Sequence, residues 1–291
     1  MNGLQLTSEG PAPTVTLSGG AVMPTVGLGL YRVDAPEMPG VVHAAVESGY
    51  RLFDTASLYA NEEPLGKAVA TCGVPRSELF LISKLWNSDQ GRTAARDAVA
   101  ATLDRLGTDY LDLFLIHWPA ANLGLFVPTW ETLLELQQQG LLRAVGVANF
   151  DADHVETLLR ATGVAPAVNQ IELHPHLAQP GLVAFNTSAG IITQAWSPLA
   201  RGGAILTDPV ITRIAAEHHR TPGQVILRWH LQRGVTVVPK TTSPQRMREN
   251  LDLFSFDLTE RQMRDITGLD AQARTGPDPR TFTATEHPPA P

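Results

Sequence analysis

Asp54, Lys84, His117, Asn149, Gln170, Trp196 and Lys240 each close a short apolar run, and they recur on average about every 31 residues, the length of one βαβ unit. No other feature narrows the fold so far. The runs are rich in Val, Ile, Leu and Phe, as at 79–82 and 111–116, and stretches of helical period separate them. Ala95, Val99, Leu103 and Leu106 fall at i, i+4, i+8 and i+11 ahead of Gly107, so they mark one face of a helix that ends there. Val155, Leu158, Leu159 and Thr162 do the same before Gly163, with Asp151 placed to cap the start. Two more helices are predicted over 128–139, stopped by Gly140, and from Pro222 to Leu231. Strands alternating with helices predict a parallel sheet.

An earlier apolar run at 25–31 raises the strand count to eight, and eight such units close a (β/α)8 TIM barrel. A chain of 291 residues suits either two ordinary domains or one such barrel, and no linker divides it, so 1–291 is read as a single domain. Two additions fall outside the repeat. Residues 14–17 and 21–23, joined through Ser18, Gly19 and Gly20, predict a β-hairpin that plugs the barrel's bottom. After a helical stretch at 259–269, residues 271–291 contain five prolines and little periodicity, as expected of a C-terminal loop over the active-site face. Residues 1–13 are expected to be a flexible tail.

The net charge of −7 argues against a nucleic-acid or anionic-membrane surface, which needs clustered Lys and Arg. Hydrophobic residues make up 43% of the chain with a mean hydropathy of −0.04, and no apolar run is long enough to span a bilayer. Residues 1–13 lack the pattern of a signal peptide, and the single Cys72 suits a reducing compartment, so a cytoplasmic location is expected. His174, His176, His218 and His219 form no convincing ligand set, and no metal is expected.

In a TIM barrel, catalytic groups stand at the C-terminal ends of strands. Asp54, Lys84 and His117 occupy those ends and Tyr59 follows Asp54 closely. A carboxylate, an ammonium, an imidazole and a phenol together can move one proton near neutral pH. Three motifs around these residues resemble those of the aldo-keto reductases. They are the stretch 49–62 with Phe53-Asp54-Thr55 and Tyr59-Ala60-Asn61-Glu62, then Ile82-Ser83-Lys84-Leu85-Trp86, and Ile116-His117-Trp118-Pro119. Gly146-Val147-Ala148-Asn149-Phe150, Asn169-Gln170-Ile171-Glu172-Leu173-His174-Pro175 and Val238-Pro239-Lys240-Thr241-Thr242 extend the likeness, which runs from about 14 to 282. The chain is most similar to the short-looped bacterial branch that includes 2,5-diketo-D-gluconate reductases. This resemblance implies NADPH-dependent reduction of aldehydes, ketones or keto-sugars, with Asp54, Tyr59, Lys84 and His117 catalytic.

Hydride addition to a carbonyl leaves an alkoxide that needs a proton. Free tyrosine, with a pKa of about 10, is a weak acid for that purpose. Lys84 beside Tyr59 is expected to lower that value, with Asp54 holding Lys84 charged, so that Tyr59 acts as general acid. His117 would hydrogen-bond the carbonyl oxygen.

The hydride donor cannot sit on a Rossmann fingerprint, because Arg32 stands where the third glycine after Gly27 and Gly29 should be. Those two glycines are read as sites of tight packing or close ligand approach. The stretch from Lys240 through Thr241 and Thr242 to Arg248 carries three cations and no acid. Ser243-Pro244 fits a helix start whose free amides attract phosphate. By resemblance, Lys240, Thr241 and Arg246 hold the 2′-phosphate of NADPH, and Glu249 and Asn250 lie near the adenine. Asn149 and Gln170 bond the carboxamide, Trp196 stacks on the nicotinamide, and Ser197 and Leu199 run toward the pyrophosphate. Ala148 and Leu30 depart from the family pattern: Ala148 stands where a serine is common, which implies one carboxamide contact fewer, and Leu30 replaces a smaller or hydroxylated residue. Tyr31, Trp86 and Trp118 would wall the substrate pocket beside His117, with Phe282 closing it, and the short loop after His117 predicts an open pocket. The expected partner is a small carbonyl substrate met by a monomer. Two rival readings are a regulatory barrel that holds NADPH as a redox sensor and a hydrolase using Asp54 and Glu172.

Overall fold

The first and last strands of the repeat meet at a seam built on glycine. Val26 bridges Val237 and Gly29 bridges Lys240, with Gly27 N–H donating to the Val237 carbonyl at 2.9 Å and Gly29 N–H to that of Pro239 at 3.1 Å. The computed structural model describes residues 12–286. Most of the expected N-terminal tail and the last five residues of the expected C-terminal loop lie outside that range.

A hairpin of β1 (Thr14–Thr16) and β2 (Val22–Pro24) comes first, with Val15 opposite Met23. The parallel sheet then runs in chain order through β3 (Leu28–Gly29), β4 (Leu52–Asp54), β5 (Phe80–Leu85), β6 (Leu113–Ile116), β7 (Val145–Ala148), β8 (Val168–Glu172), β9 (Ile192–Trp196) and β10 (Thr236–Val237). Its helices are α1 (Met38–Ser48), α2 (Glu62–Thr71), α3 (Arg92–Leu106), α4 (Phe126–Gln138), α5 (Ala152–Thr162), α6 (Pro180–Ser188), α7 (Pro209–His218), α8 (Pro222–Gln232), α9 (Pro244–Leu251) and α10 (Glu260–Thr267). The barrel expected from the repeat is present.

Local chemistry sets the helix ends. Asp151 and His154 form a reciprocal cap on α5, Thr221 and Gln224 do so on α8, and Gly107 and Gly163 end α3 and α5 in left-handed conformations. Inside the barrel, Leu52, Phe80, Ile82, Leu113, Leu115 and Val168 pack in one layer, and Val15, Leu17 and Met23 of the hairpin close it from below. A larger apolar layer lies between strands and helices. The expected run at 25–31 pairs regularly only at Leu28–Gly29 and otherwise through single bridges, since its glycines sit where side chains would collide. A Cβ at Gly27 would stand 2.1 Å from Leu52 Cδ2, and one at Gly29 would stand 2.8 Å from the Val238 carbonyl oxygen. Both glycines therefore serve close packing.

A cavity of about 560 Å³ lies beside the hairpin, lined by Thr14, Val26, Arg51, Asp112 and Arg143 among others; none of the candidate site residues lines it. Among the described residues, no helix is long and apolar enough to cross a membrane.

Candidate active site

The C-terminal ends of β4, β5 and β6 bring Asp54, Lys84 and His117 to one rim, and the single turn at 57–59 adds Tyr59. Lys84 is only 1% exposed. Its ammonium donates to both oxygens of Asp54 at 2.8 and 2.9 Å, to the Thr55 carbonyl at 2.9 Å and to the Tyr59 hydroxyl at 3.5 Å. An ammonium can only donate, so Tyr59 Oη is the acceptor in that contact. The phenol's own proton has no acceptor among the described residues. His117 stands edge-on to Tyr59, ring centroids 5.9 Å apart, and Tyr31 meets Tyr59 at 4.9 Å.

The electrostatics depart from expectation at Tyr59. Burial pushes its phenol well above the ordinary value, and the charge of Asp54 and the neighbouring Tyr31 add to the rise. Lys84 does not reverse this, because its charge is matched at contact distance by Asp54. Tyr59 rests as a protonated phenol. Burial pulls the Lys84 ammonium down, opposed by the charge and hydrogen bonds of Asp54 and by the charge of Glu62. Burial and then the charge of Lys84 hold His117 well below its usual range, so its ring is neutral at neutral pH. Its Nδ1 is buried without a partner. A bare ring acceptor is cheaper to bury than an unpaired N–H, which assigns the proton to Nε2.

Gln170, Asn149 and Trp196 join this group. Gln170 donates through Nε2 to Asp54 Oδ1 at 2.9 Å and to Gln194 Oε1 at 2.8 Å. Asn149, held at φ +63°, donates to the His117 carbonyl at 2.9 Å and accepts from the Trp196 indole at 2.8 Å. Trp196 and Ser197 are half-buried, with Ser197 at φ +47°, and Leu199 packs against the core.

Lys240, Thr242 and Arg246 are exposed at the start of α9, whose cap is Ser243, while Thr241 is buried and accepts from Ser243 N–H at 3.1 Å. Glu249 is held by Gln245 at 2.7 Å, and Asn250 is buried beside Tyr50. Among the described residues Lys240, Arg246 and Arg248 have no acidic partner, whereas Arg76, Arg105, Arg143, Arg213 and Arg220 are each paired.

Trp86 and Trp118 are nearly buried beside His117, at ring distances of 5.2 and 6.4 Å. Phe282 covers them, 4.5 Å from Trp118 and 6.1 Å from Trp86. The face at His117, Trp86 and Trp118, expected to form an open pocket, is covered by Phe282 of the C-terminal segment. Tyr31 remains 47% exposed. Asp151, Asp153 and His154 bring ligand-type atoms within 4.8 Å of one another, but Asp151 pairs with Arg280 at 2.7 Å and shares the α5 cap with His154.

The family model described as the aldo/keto reductase family matches residues 24–271. The chain belongs to that family. An aldo-keto reductase of Mycolicibacterium smegmatis is 48% identical over 274 residues, covering 94% of this chain and 99% of that protein. Methylglyoxal reductase DkgA of Yersinia pestis is 44% identical over 271 residues, 93% of this chain and 97% of that one. A crystal structure of a Gox0644 mutant in complex with NADPH matches with a TM-score of 0.88 at 42% identity, covering 92% of this chain and 98% of that chain.

In this aldo/keto reductase, the two departing positions Ala148 and Leu30 are fully buried, and Leu30 offers its carbonyl to Asn61 at 2.9 Å. The roles of three residues escaped the sequence. Gln194 fixes the amide of Gln170, and its only signal was a polar residue two positions before Trp196, on the same strand face. Glu62, inside the stretch 49–62, accepts from Ser83 at 2.5 Å and from Arg105 at 2.7 Å, directly behind Lys84. Glu172 holds the C-terminal segment, through partners a hundred residues away.

Proposed function

We propose that this aldo/keto reductase reduces small aldehydes, ketones or keto-sugars to alcohols, using NADPH and Tyr59 as general acid. It would act as one barrel domain and a monomer, in a reducing compartment such as the cytoplasm, where its free Cys72 is stable. The observation that carries the reading is the Tyr59 hydroxyl, which accepts from Lys84 and keeps its own proton available beside His117.

The fit to NADPH rests on three unpaired cations at a capped helix start, an arrangement suited to a phosphate. Lys240, Thr241, Thr242 and Arg246 would hold the 2′-phosphate, with Glu249 and Asn250 near the adenine. Ser197 and Leu199 would meet the pyrophosphate, Asn149 and Gln170 the carboxamide, and Trp196 the nicotinamide face. When bound, NADPH supplies the hydride.

Tyr31, Trp86 and Trp118 would flank the carbonyl substrate. His117, neutral and protonated at Nε2, donates to its oxygen and so places it near Tyr59. As charge builds on that oxygen, the Tyr59 proton moves to it. An alkoxide is a far stronger base than a phenolate, so the transfer runs downhill even from an elevated phenol pKa. Lys84 stabilises the phenolate left behind, and Asp54 and Gln170 hold Lys84 in place. Loss of NADPH absorbance against methylglyoxal, aromatic aldehydes and keto-sugars tests the activity. Tyr59→Phe should lower turnover about 100-fold or more while NADPH still quenches protein fluorescence at near-normal concentrations. Substantial surviving turnover would remove Tyr59 from the role of acid.

A further inference from the structure

Glu172 is a buried charge that the proposed reaction does not use. It stands at the end of β8, 1% exposed, and among the described residues no lysine or arginine pairs with it. His174 Nε2 lies 3.2 Å from Oε1. Its other donors come from the C-terminal segment: the Thr275 N–H at 2.6 Å and hydroxyl at 2.5 Å to Oε1, and the Gly276 N–H at 3.3 Å to Oε1 and 3.1 Å to Oε2. Burial raises the carboxyl's pKa, yet the bonds from His174, Thr275 and Gly276 outweigh it and hold the group below the usual carboxylate range. The anion is therefore matched by His174 and by the amides and hydroxyl of one short segment.

That segment touches the site at both ends. A Cβ on Gly276 would lie 2.5 Å from Trp196 Cη2, so the backbone there rests directly on the indole edge. Farther along, Arg280 pairs with Asp151, Asn87 donates to the Ala284 carbonyl at 2.8 Å and Trp86 to that of Thr285 at 3.2 Å. Between these ties Phe282 packs on Trp118 and Trp86. Undocking 275–276 would strip a buried carboxylate of most of its donors, so docked and free are discrete states separated by a real cost.

We propose that Glu172 is a positioning residue: its carboxylate latches Thr275 and Gly276 against Trp196 and so seats Phe282 as the apolar wall that bulky carbonyl substrates meet. The substrate half of this inference rests on reading His117, Trp86 and Trp118 as the carbonyl pocket. Glu172→Gln replaces one acceptor oxygen with an amide donor facing the segment's donors, and Gly276→Ala drives a methyl group into Trp196. Hydrogen exchange on the full-length chain should show the amides of 275–276 exchanging about tenfold faster or more in both variants, the scale of one lost charge-assisted hydrogen bond. In Glu172→Gln, KM for benzaldehyde should rise about tenfold with kcat little changed, and KM for methylglyoxal should stay put, as expected when only apolar contact is lost. Thr275→Ser, which keeps the hydroxyl, should behave as wild type, and Thr275→Val should not. Unchanged exchange in both latch variants overturns the proposal, as does an equal change in kinetics for small and bulky substrates. If Glu172→Gln fails to fold by circular dichroism, Thr275→Val carries the same test. Absence of any NADPH oxidation would sink the reductase reading instead, and the exchange measurement would still decide the latch.

Discussion

Tyr59 and Lys84 show how little a charge achieves once its partner sits beside it. Burial and Asp54 together set the phenol high, and the ammonium 3.5 Å away is already committed to Asp54. Asp54→Asn should therefore act mainly through Lys84, leaving an ammonium in a buried site with no counter-charge at contact. A cost of about 3–5 kcal/mol is expected for breaking such a pair, measured by urea denaturation. Adding Lys84→Met should restore part of that stability while activity stays lost, because the charge needing compensation is gone. A double variant no more stable than the single would refute this electrostatic account. That these four side chains meet was legible because three follow apolar runs and the fourth lies one turn on. The sign of the Tyr59 shift was not, since it depends on burial and on the distance to Asp54. Nor was the bond from Gln170 to Asp54, which joins positions 116 apart.

Helix starts were the most readable elements, because a cap is written in adjacent residues. Asp151, Ser243 and the Pro222 start were placed from sequence, and the structure adds reciprocal bonding at Asp151 and Thr221. The C-terminal segment could be placed over the site but not its fastenings, since it has no period and its partners are distant in sequence. For α9, the unpaired Arg246 should serve a phosphate and little else. Arg246→Ala is expected to raise KM for NADPH about tenfold or more, the scale of a lost charge-assisted contact, and to leave KM for NADH near its starting value; equal rises would place the 2′-phosphate elsewhere. On α8, His230 donates through Nε2 to the Pro198 carbonyl at 3.2 Å, and burial pulls its pKa down to about 3. The unfolded chain takes up that proton near the ordinary histidine value of 6.5, so the neutral ring's contribution is fully present above pH 6.5. It then drains by roughly 1 kcal/mol per pH unit as pH falls toward the folded value. His230→Gln keeps a donor and does not titrate. Its melting temperature should fall less steeply between pH 6.5 and 4 than that of wild type, and parallel slopes would show that other groups carry the acid sensitivity.

A closed barrel joins the two ends of its repeat, so the seam carries consequences for the whole chain. The eight-unit rhythm announced closure, but only contact distances reveal how tight the closure is. Gly29 bridges Lys240, and a Cβ there would stand 2.8 Å from the Val238 carbonyl oxygen. Backbone cannot yield as a side chain can, so Gly29→Ala should cost about 1–3 kcal/mol, seen as a lower denaturant midpoint with an unchanged slope. It should also move Lys240, the first cation of the proposed phosphate site. Gly66→Ala provides the contrast, since its Cβ would lie 2.3 Å from the Leu106 carbonyl oxygen where α2 meets α3. Both variants should lose stability, but only Gly29→Ala should raise KM for NADPH. If both raise it equally, closure and cofactor grip are linked through global stability and not through the seam.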